Sequence, residues 1–226
     1  MGYEIRFHGL ACFSIHWKNI VVVFDPHNGK SLNLPEPDIR NADIVLCSHK
    51  HYDHNAGKDL VASKDAVILE ETAGSFEHKG LKIIGNKVMH GGGKQWGWNV
   101  VYSVQLPSNE VIIHAGDIGN IPDQKTLDQI LVLGTPEICF LPVGGEFTVN
   151  AKQAIQLAKV LKTKIANVAC HYLYGPLKCK EDFQGMTTEK PFLEAVGGKQ
   201  NVFFVKEVWK PNIDNQKLWI MFLPRY

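Results

Sequence analysis

Short apolar runs broken by turn residues fill the first half of the chain. Residues 3–7, 11–17 and 19–25 are β-prone runs separated by tight connections, and 43–47 is a further apolar run of strand length. Residues 66–70, 81–84, 98–106 and 111–114 continue the strand pattern. Helical spacing enters later. Residues 55–63 fit a short helix, and Pro122 suits a first helical position ahead of Leu127, Ile130 and Leu131. Residues 150–162 give the clearest helix: Ala151, Ala154, Ile155, Ala158 and Leu161 share one face, with Asn150 suited to cap it. Strands are predicted again at 138–141, 164–170, 201–205 and 217–222. Strand blocks with interspersed helices predict one α/β domain over residues 1–226, an αββα sandwich with helices on both outer faces of a two-sheet core.

Composition narrows the function classes. The chain has 226 residues, 45% hydrophobic and 21% charged, which suits a globular protein with a well-buried core. Lys plus Arg is 24 and Asp plus Glu is 23, so no electrostatic footprint marks a nucleic acid or an anionic membrane as partner. The apolar runs are strand-sized, so no membrane span is expected, and the first residues lack signal-peptide anatomy. Cys12, Cys47, Cys139, Cys170 and Cys179 are scattered, odd in number and form no C-x-x-C pair. That usage predicts reduced thiols in a cytoplasmic protein, without a disulfide framework or a structural zinc site. A small-molecule partner is expected, and a homo-oligomer is left open.

The chemistry concentrates in residues 48–54, Ser-His-Lys-His-Tyr-Asp-His. His49, His51, Asp53 and His54 form the pattern H-x-H-x-D-H. Crowding imidazoles and a carboxylate this way is costly unless they are solvated or coordinate a cation, and these donors suit a borderline divalent metal. Other candidates also sit where predicted strands run out: Asp117 in His-Ala-Gly-Asp, His171 after 164–170, and His90 just before Gly91-Gly92-Gly93. Strand-end loops on a rigid scaffold are where sites are built.

Weaker signals surround this set. Asp25, before Pro26, either orients a ligand histidine or is a turn residue. His114 either contacts substrate, supports a ligand or fills the core. Lys94 and Trp96, after the glycine run, are candidates for a pocket rim; the alternative is an ordinary hairpin loop with Trp98 in the core. Residues 173–190 are expected to form a lid or rim. Lys50 and Tyr52 are expected to point outward, with packing the alternative for Tyr52. Ordinary surface or packing roles are expected for His16, His27 and His78, and core positions for Cys47 and Cys170.

The arrangement resembles the metallo-β-lactamase superfamily over most of the chain. Besides 48–54, the block VIIHAGDIG at 111–119 looks like that family's strand ending in a bridging aspartate. Residues 144–172 look like its helix, strand and terminal His-Tyr. Residues 9–13 and Phe24-Asp25-Pro26 resemble the small metal-dependent hydrolase branch that includes the ascorbate-6-phosphate lactonases. The resemblance implies two divalent metals, Zn2+ first and Mn2+ or Fe2+ as alternatives. His49, His51 and His90 would hold one, Asp53, His54 and His171 the other, and Asp117 would bridge, with Asp53 and Asp117 the catalytic carboxylates. The implied reaction is attack of hydroxide, shared between the metals, on a small anionic ester or lactone; a phosphodiester is the second choice. A redox di-iron reading is disfavoured, since such relatives carry an acidic residue at the His51 position and a flavin domain. A non-catalytic binding role is disfavoured because the ligand set is complete. One departure stands out: the branch has Gly-His-Ala where this chain has Gly9-Leu10-Ala11, with His8 two residues earlier, about 7 Å along a strand.

Overall fold

A computed structural model describes residues 2–179, 181–211 and 218–223. Lys180, Lys217 and the side chain of Cys179 lie outside the described residues. The strands are β1 (Tyr3–Gly9), β2 (Cys12–Trp17), β3 (Ile20–Phe24), β4 (Ala42–Cys47), β5 (Ala62–Glu70), β6 (Gly74–His78), β7 (Leu81–Met89), β8 (Trp98–Gln105), β9 (Val111–His114), β10 (Ile138–Pro142), β11 (Ala166–Cys170), β12 (Val202–Val205), β13 (Val208–Trp209) and β14 (Leu218–Phe222). They form a six-stranded sheet, β13-β1-β2-β3-β4-β5, and an eight-stranded sheet, β12-β14-β11-β10-β9-β8-β7-β6. Both are mixed: β3, β4 and β5 run parallel in one, β9, β10, β11 and β14 in the other.

Alternation along β3 shows how the layers form. Ile20, Val22 and Phe24 enter the main core with Phe13, Phe140 and Phe222, while Val21 and Val23 face the other way, into a smaller cluster with Val45, Cys47 and Val61. A strand apolar on both faces is what burial on both faces demands. The helices are α1 (Tyr52–Asn55), α2 (Lys58–Val61), α3 (Gln124–Ile130), α4 (Ala151–Leu161) and α5 (Lys190–Ala195). α2 packs on β4 and β5, α3 on β7 and β8, and α4 on β10 and α5. Two mixed sheets flanked by a few helices are thus the observed architecture. No helix among the described residues is long and apolar enough to cross a membrane.

Several expectations need correction. The helix expected at 55–63 is two single turns, α1 and α2, and β5 already begins at Ala62. Gly57 causes the break: its N–H donates to Pro26 at 2.8 Å, and a Cβ there would stand 2.2 Å from the His27 carbonyl. Pro122 lies ahead of α3, whose cap is Asp123 accepting the Thr126 N–H at 2.8 Å. In α4, Leu157 is buried and Ile155 only half-buried. Asn150 caps this helix reciprocally with Gln153. Trp98 is 48% exposed, not core, because the adjacent Asn99 takes the inward-facing position.

Candidate metal centre

The site lies where strands of both sheets end. β4 delivers Ser48 and His49; β7, β9 and β11 deliver His90, Asp117 and His171. The sheets are joined at this point, since Val100 at the start of β8 donates its N–H to the Ser48 carbonyl at 2.9 Å. His90 pairs across a β-bridge with Ile118, and the Gly91 N–H donates to the Asp117 carbonyl at 3.1 Å. That pairing sets His90 beside the cluster from some forty residues away. Its ring centroid stands 4.6 Å from that of His49 and 4.9 Å from that of His51.

All seven candidate ligands converge. Potential ligand atoms of His49, His51 and His90 lie within 4.8 Å of one another, as do those of Asp53, His54 and His171, and those of His49, His54 and Asp117. Asp117 is the common neighbour: its Oδ2 is 3.3 Å from His171 Nε2, 3.5 Å from His90 Nε2 and 3.9 Å from His49 Nε2, and its Oδ1 is 3.4 Å from His54 Nε2. Six of the seven are buried; His51 is half-buried at the cavity.

Buried neighbours orient the rings. Asp25 Oδ2 accepts from His54 Nδ1 at 2.8 Å, from His114 Nε2 at 2.7 Å and from the Ser48 hydroxyl at 2.9 Å, and Oδ1 accepts the Ser48 N–H at 2.6 Å. The Ser48 hydroxyl already directs its proton at Asp25, so its oxygen accepts from His49 Nδ1 at 2.8 Å. His90 Nδ1 donates to the Gly91 carbonyl at 2.7 Å. Each of these bonds places a proton on Nδ1 and leaves Nε2 aimed inward. The Nε2 atoms of His49 and His90 stand 3.2 Å apart, a contact that a cation between them would relieve. His54 Nε2, His171 Nε2 and Asp117 Oδ1 are buried without any hydrogen-bond partner. This donor set fits a metal site.

Charge is shared unequally among these groups. Burial opposes ionisation of Asp25, yet His54 and His114 hold its carboxyl well below the usual carboxylate range. Asp53 is held low against burial by His54 and His171, and Asp117 likewise by His171 and His54. His54 lies well above the ordinary imidazole value: burial disfavours its charge, but Asp117, Asp53 and Asp25 outweigh it. Burial, and then His54, push His49 well below.

The weaker candidates separate cleanly. Asp25 orients His54, a candidate ligand, and His114 supports Asp25 from the core, against Phe24 at 5.0 Å. Trp96 lines a cavity of about 510 Å³ that opens onto the cluster, with Lys50, Tyr52 and Phe147. Lys94 is exposed and does not line it. Tyr52 is half-buried, and its hydroxyl donates to Asp182 at 2.8 Å, so the packing alternative holds. Asp182 and Phe183 line the cavity too, as expected of a rim at 173–190. His8 stands on the face of β1 opposite the core, bonded to Ser14 Oγ at 2.8 Å, and does not replace the histidine absent at Leu10. His27 is buried, bonded to the His8 carbonyl and the Gly29 N–H. Ser48, Asn99 and Phe147 carry no local signal. Asn99 holds the Asp117 loop, accepting the Asp117 N–H and donating to the Ala115 carbonyl, each at 2.8 Å.

A family description, "Beta-lactamase superfamily domain", matches residues 4–167. The chain belongs to the metallo-β-lactamase superfamily. Within the superfamily it is similar to a UPF0173 metal-dependent hydrolase of Thermoplasma volcanium, 29% identical over 194 residues, which cover 76% of this chain and 84% of the relative. Another UPF0173 metal-dependent hydrolase, from Natranaerobius thermophilus, is 27% identical over 219 residues, covering 84% of this chain and 95% of the relative. Among solved structures, a protein of Thermotoga maritima assigned to the Zn-dependent hydrolases of the superfamily superposes with a TM-score of 0.75 at 23% identity. That superposition covers 97% of this chain and 98% of the other, and shows the shared fold.

Proposed function

We propose that the chain is a metal-dependent hydrolase of a small, anionic ester or lactone. The observation that carries this is the convergence of buried ligand atoms that lack hydrogen-bond partners at the floor of a cavity. In this reading His49, His51 and His90 hold one divalent ion, Asp53, His54 and His171 a second, and Asp117 bridges; Zn2+ suits the set, as do Mn2+ and Fe2+. When bound, such ions supply Lewis acidity and lower the pKa of a coordinated water to near neutrality.

The chain's own residues do the rest. Asp25 and Ser48 fix the tautomers of His54 and His49, so neither ring turns on loading. Asp117 spans the two ligand sets and holds their spacing. Water adds its oxygen to the carbonyl carbon as the ester C–O bond breaks. The Asp53 carboxylate, which faces the cavity, takes the water's proton and passes it to the departing alkoxide. The near balance of 24 basic and 23 acidic residues favours a small substrate over a polynucleotide, whose affinity needs many phosphate contacts.

The test is metal analysis with a panel of lactones, esters, phosphodiesters and structured RNA, assayed loaded and after chelation. Metal-dependent lactone or ester turnover that Asp117→Ala abolishes is expected. Turnover confined to phosphodiesters or RNA overturns the substrate reading, and a protein that binds no divalent metal overturns the reading altogether.

A further inference from the structure

The glycine run at 91–93 builds an aromatic wall over the metal ligands. The Trp96 ring lies across Gly92, where a Cβ would stand 2.6 Å from its Cδ1. Gly91 is packed so closely against the chain at Phe147 that a Cβ there would stand 2.0 Å from the Phe147 carbonyl. Only glycine permits both approaches. The result is that Trp96 and Phe147, far apart in sequence, meet edge to face with ring centroids 5.2 Å apart. The same indole stands edge-on to His51 at 5.6 Å and nearly parallel to His90 at 6.2 Å.

Trp96 nevertheless keeps 40% of its surface exposed, and among the exposed large apolar side chains of the described residues it alone lines this cavity. Tyr52 and Phe183 add further ring surface to the lining, and among the described residues Lys50 is the only lysine or arginine along it. A cavity of about 510 Å³ is the size of a small-molecule site. We propose that the Trp96–Phe147 wall is a specificity subsite for a flat apolar or aryl group on the substrate, carried next to the scissile carbonyl, with Lys50 meeting a carboxylate. This rests on the hydrolase reading above and narrows it. Hydroxyls of a polyol turned to this wall would lose water without gaining partners, so a sugar lactone is the poorer substrate. An aryl substituent instead exchanges exposed indole surface for ring contact.

The experiment compares three lactones of one ring size and one leaving-group class: γ-butyrolactone, α-phenyl-γ-butyrolactone and erythronolactone, each normalised to its hydroxide-catalysed rate. The zinc-loaded protein should prefer the phenyl compound over γ-butyrolactone by about tenfold in kcat/KM. Trp96→Ala should bring that ratio near one, mainly through KM, and Trp96→Phe should retain most of it. A ratio indifferent to Trp96→Ala, or a preference for erythronolactone, overturns the proposal. Calorimetric binding of phenylacetate and acetate separates the two readings should no lactone be turned over. Tighter phenylacetate binding that depends on Trp96 then upholds the wall while the lactonase reading fails; equal binding of the two acids overturns the wall.

Discussion

The N–H of His171 donates to the carbonyl of Leu10 at 3.1 Å, and both residues hold left-handed backbone, with φ of 51° and 52°. Leu10, where the resemblance implies a histidine, thus serves here through its backbone, while its apolar side chain fills the core with no exposed surface. The Leu10 N–H donates in turn to the Tyr174 hydroxyl at 2.8 Å, so the chain 9–11 is pinned between the candidate ligand His171 and the rim segment.

Leu10→Gly tests which effect governs this position. Relief of a left-handed leucine is worth about 1–2 kcal/mol, while emptying a fully buried leucine site costs about 2–5 kcal/mol. The cavity term should win, with a net loss of about 1–3 kcal/mol in urea unfolding of the metal-free protein. Leu10→Ala, which keeps the strain and loses the volume, should be less stable than Leu10→Gly. A Leu10→Gly protein more stable than the parent would show that strain dominates.

Asp25→Asn replaces a carboxylate that accepts four hydrogen bonds with an amide that offers one acceptor oxygen. His54, His114 and Ser48 then compete for it, and the His54 ring loses its anchor. Metal affinity, read by competition with a chromophoric chelator, should fall by about 10–100-fold. Unchanged affinity would mean that packing alone orients His54.

The pH dependence of the metal-free protein follows from opposite histidine shifts. His27 is buried and pushed down to about 4, and His49 is also well below the ordinary value, so between about 4 and 6.5 the unfolded chain binds more protons and stability falls with acid. His54 lies well above, so its contribution is full below about 6.5 and is lost as pH rises through its folded value. The melting temperature in chelator should therefore peak at about pH 6–7. His27→Gln should flatten the acid limb only. A melting temperature that climbs steadily to pH 9 would remove His54 as the charged partner of the carboxylates.

Sequence legibility followed the range of the interactions. Residues 48–54 are a local cluster, so their chemistry is visible in seven letters. His90 is one histidine before a glycine run; what makes it part of the cluster is the bridge to Ile118. Gly74–His78 carries no strand signal, since Phe76 is its only large apolar residue, and pairing with β7 supplies what pattern does not. Lys94 and Trp96 lie in one short turn, and only the fold of that turn over Gly92 decides that the ring, not the cation, enters the cavity. Asn99 is beyond pattern reading altogether, because its partners Ala115 and Asp117 belong to a different strand end.

Gly116→Ala probes how finely the Asp117 loop is set. Gly116 has φ of 53°, and a Cβ there would stand 2.3 Å from Asn99 Oδ1 and 2.5 Å from Ser48 Cβ. Neither neighbour has room to yield: the Asn99 oxygen receives the Asp117 N–H, and Ser48 is tied to Asp25. The loop itself must move, and Asp117 with it. Since carboxylate and imidazole ligands tolerate errors of only about 0.2 Å, a small displacement is enough to undo coordination. Both ligand sets share Asp117 as neighbour, so metal stoichiometry by mass spectrometry under native conditions should fall together with thermal stability. A control, Gly134→Ala, places its Cβ in open space at φ of 115° and should leave stoichiometry intact. Full metal loading of Gly116→Ala would show that the loop accommodates the methyl group and that Asp117 does not depend on the Asn99 contact.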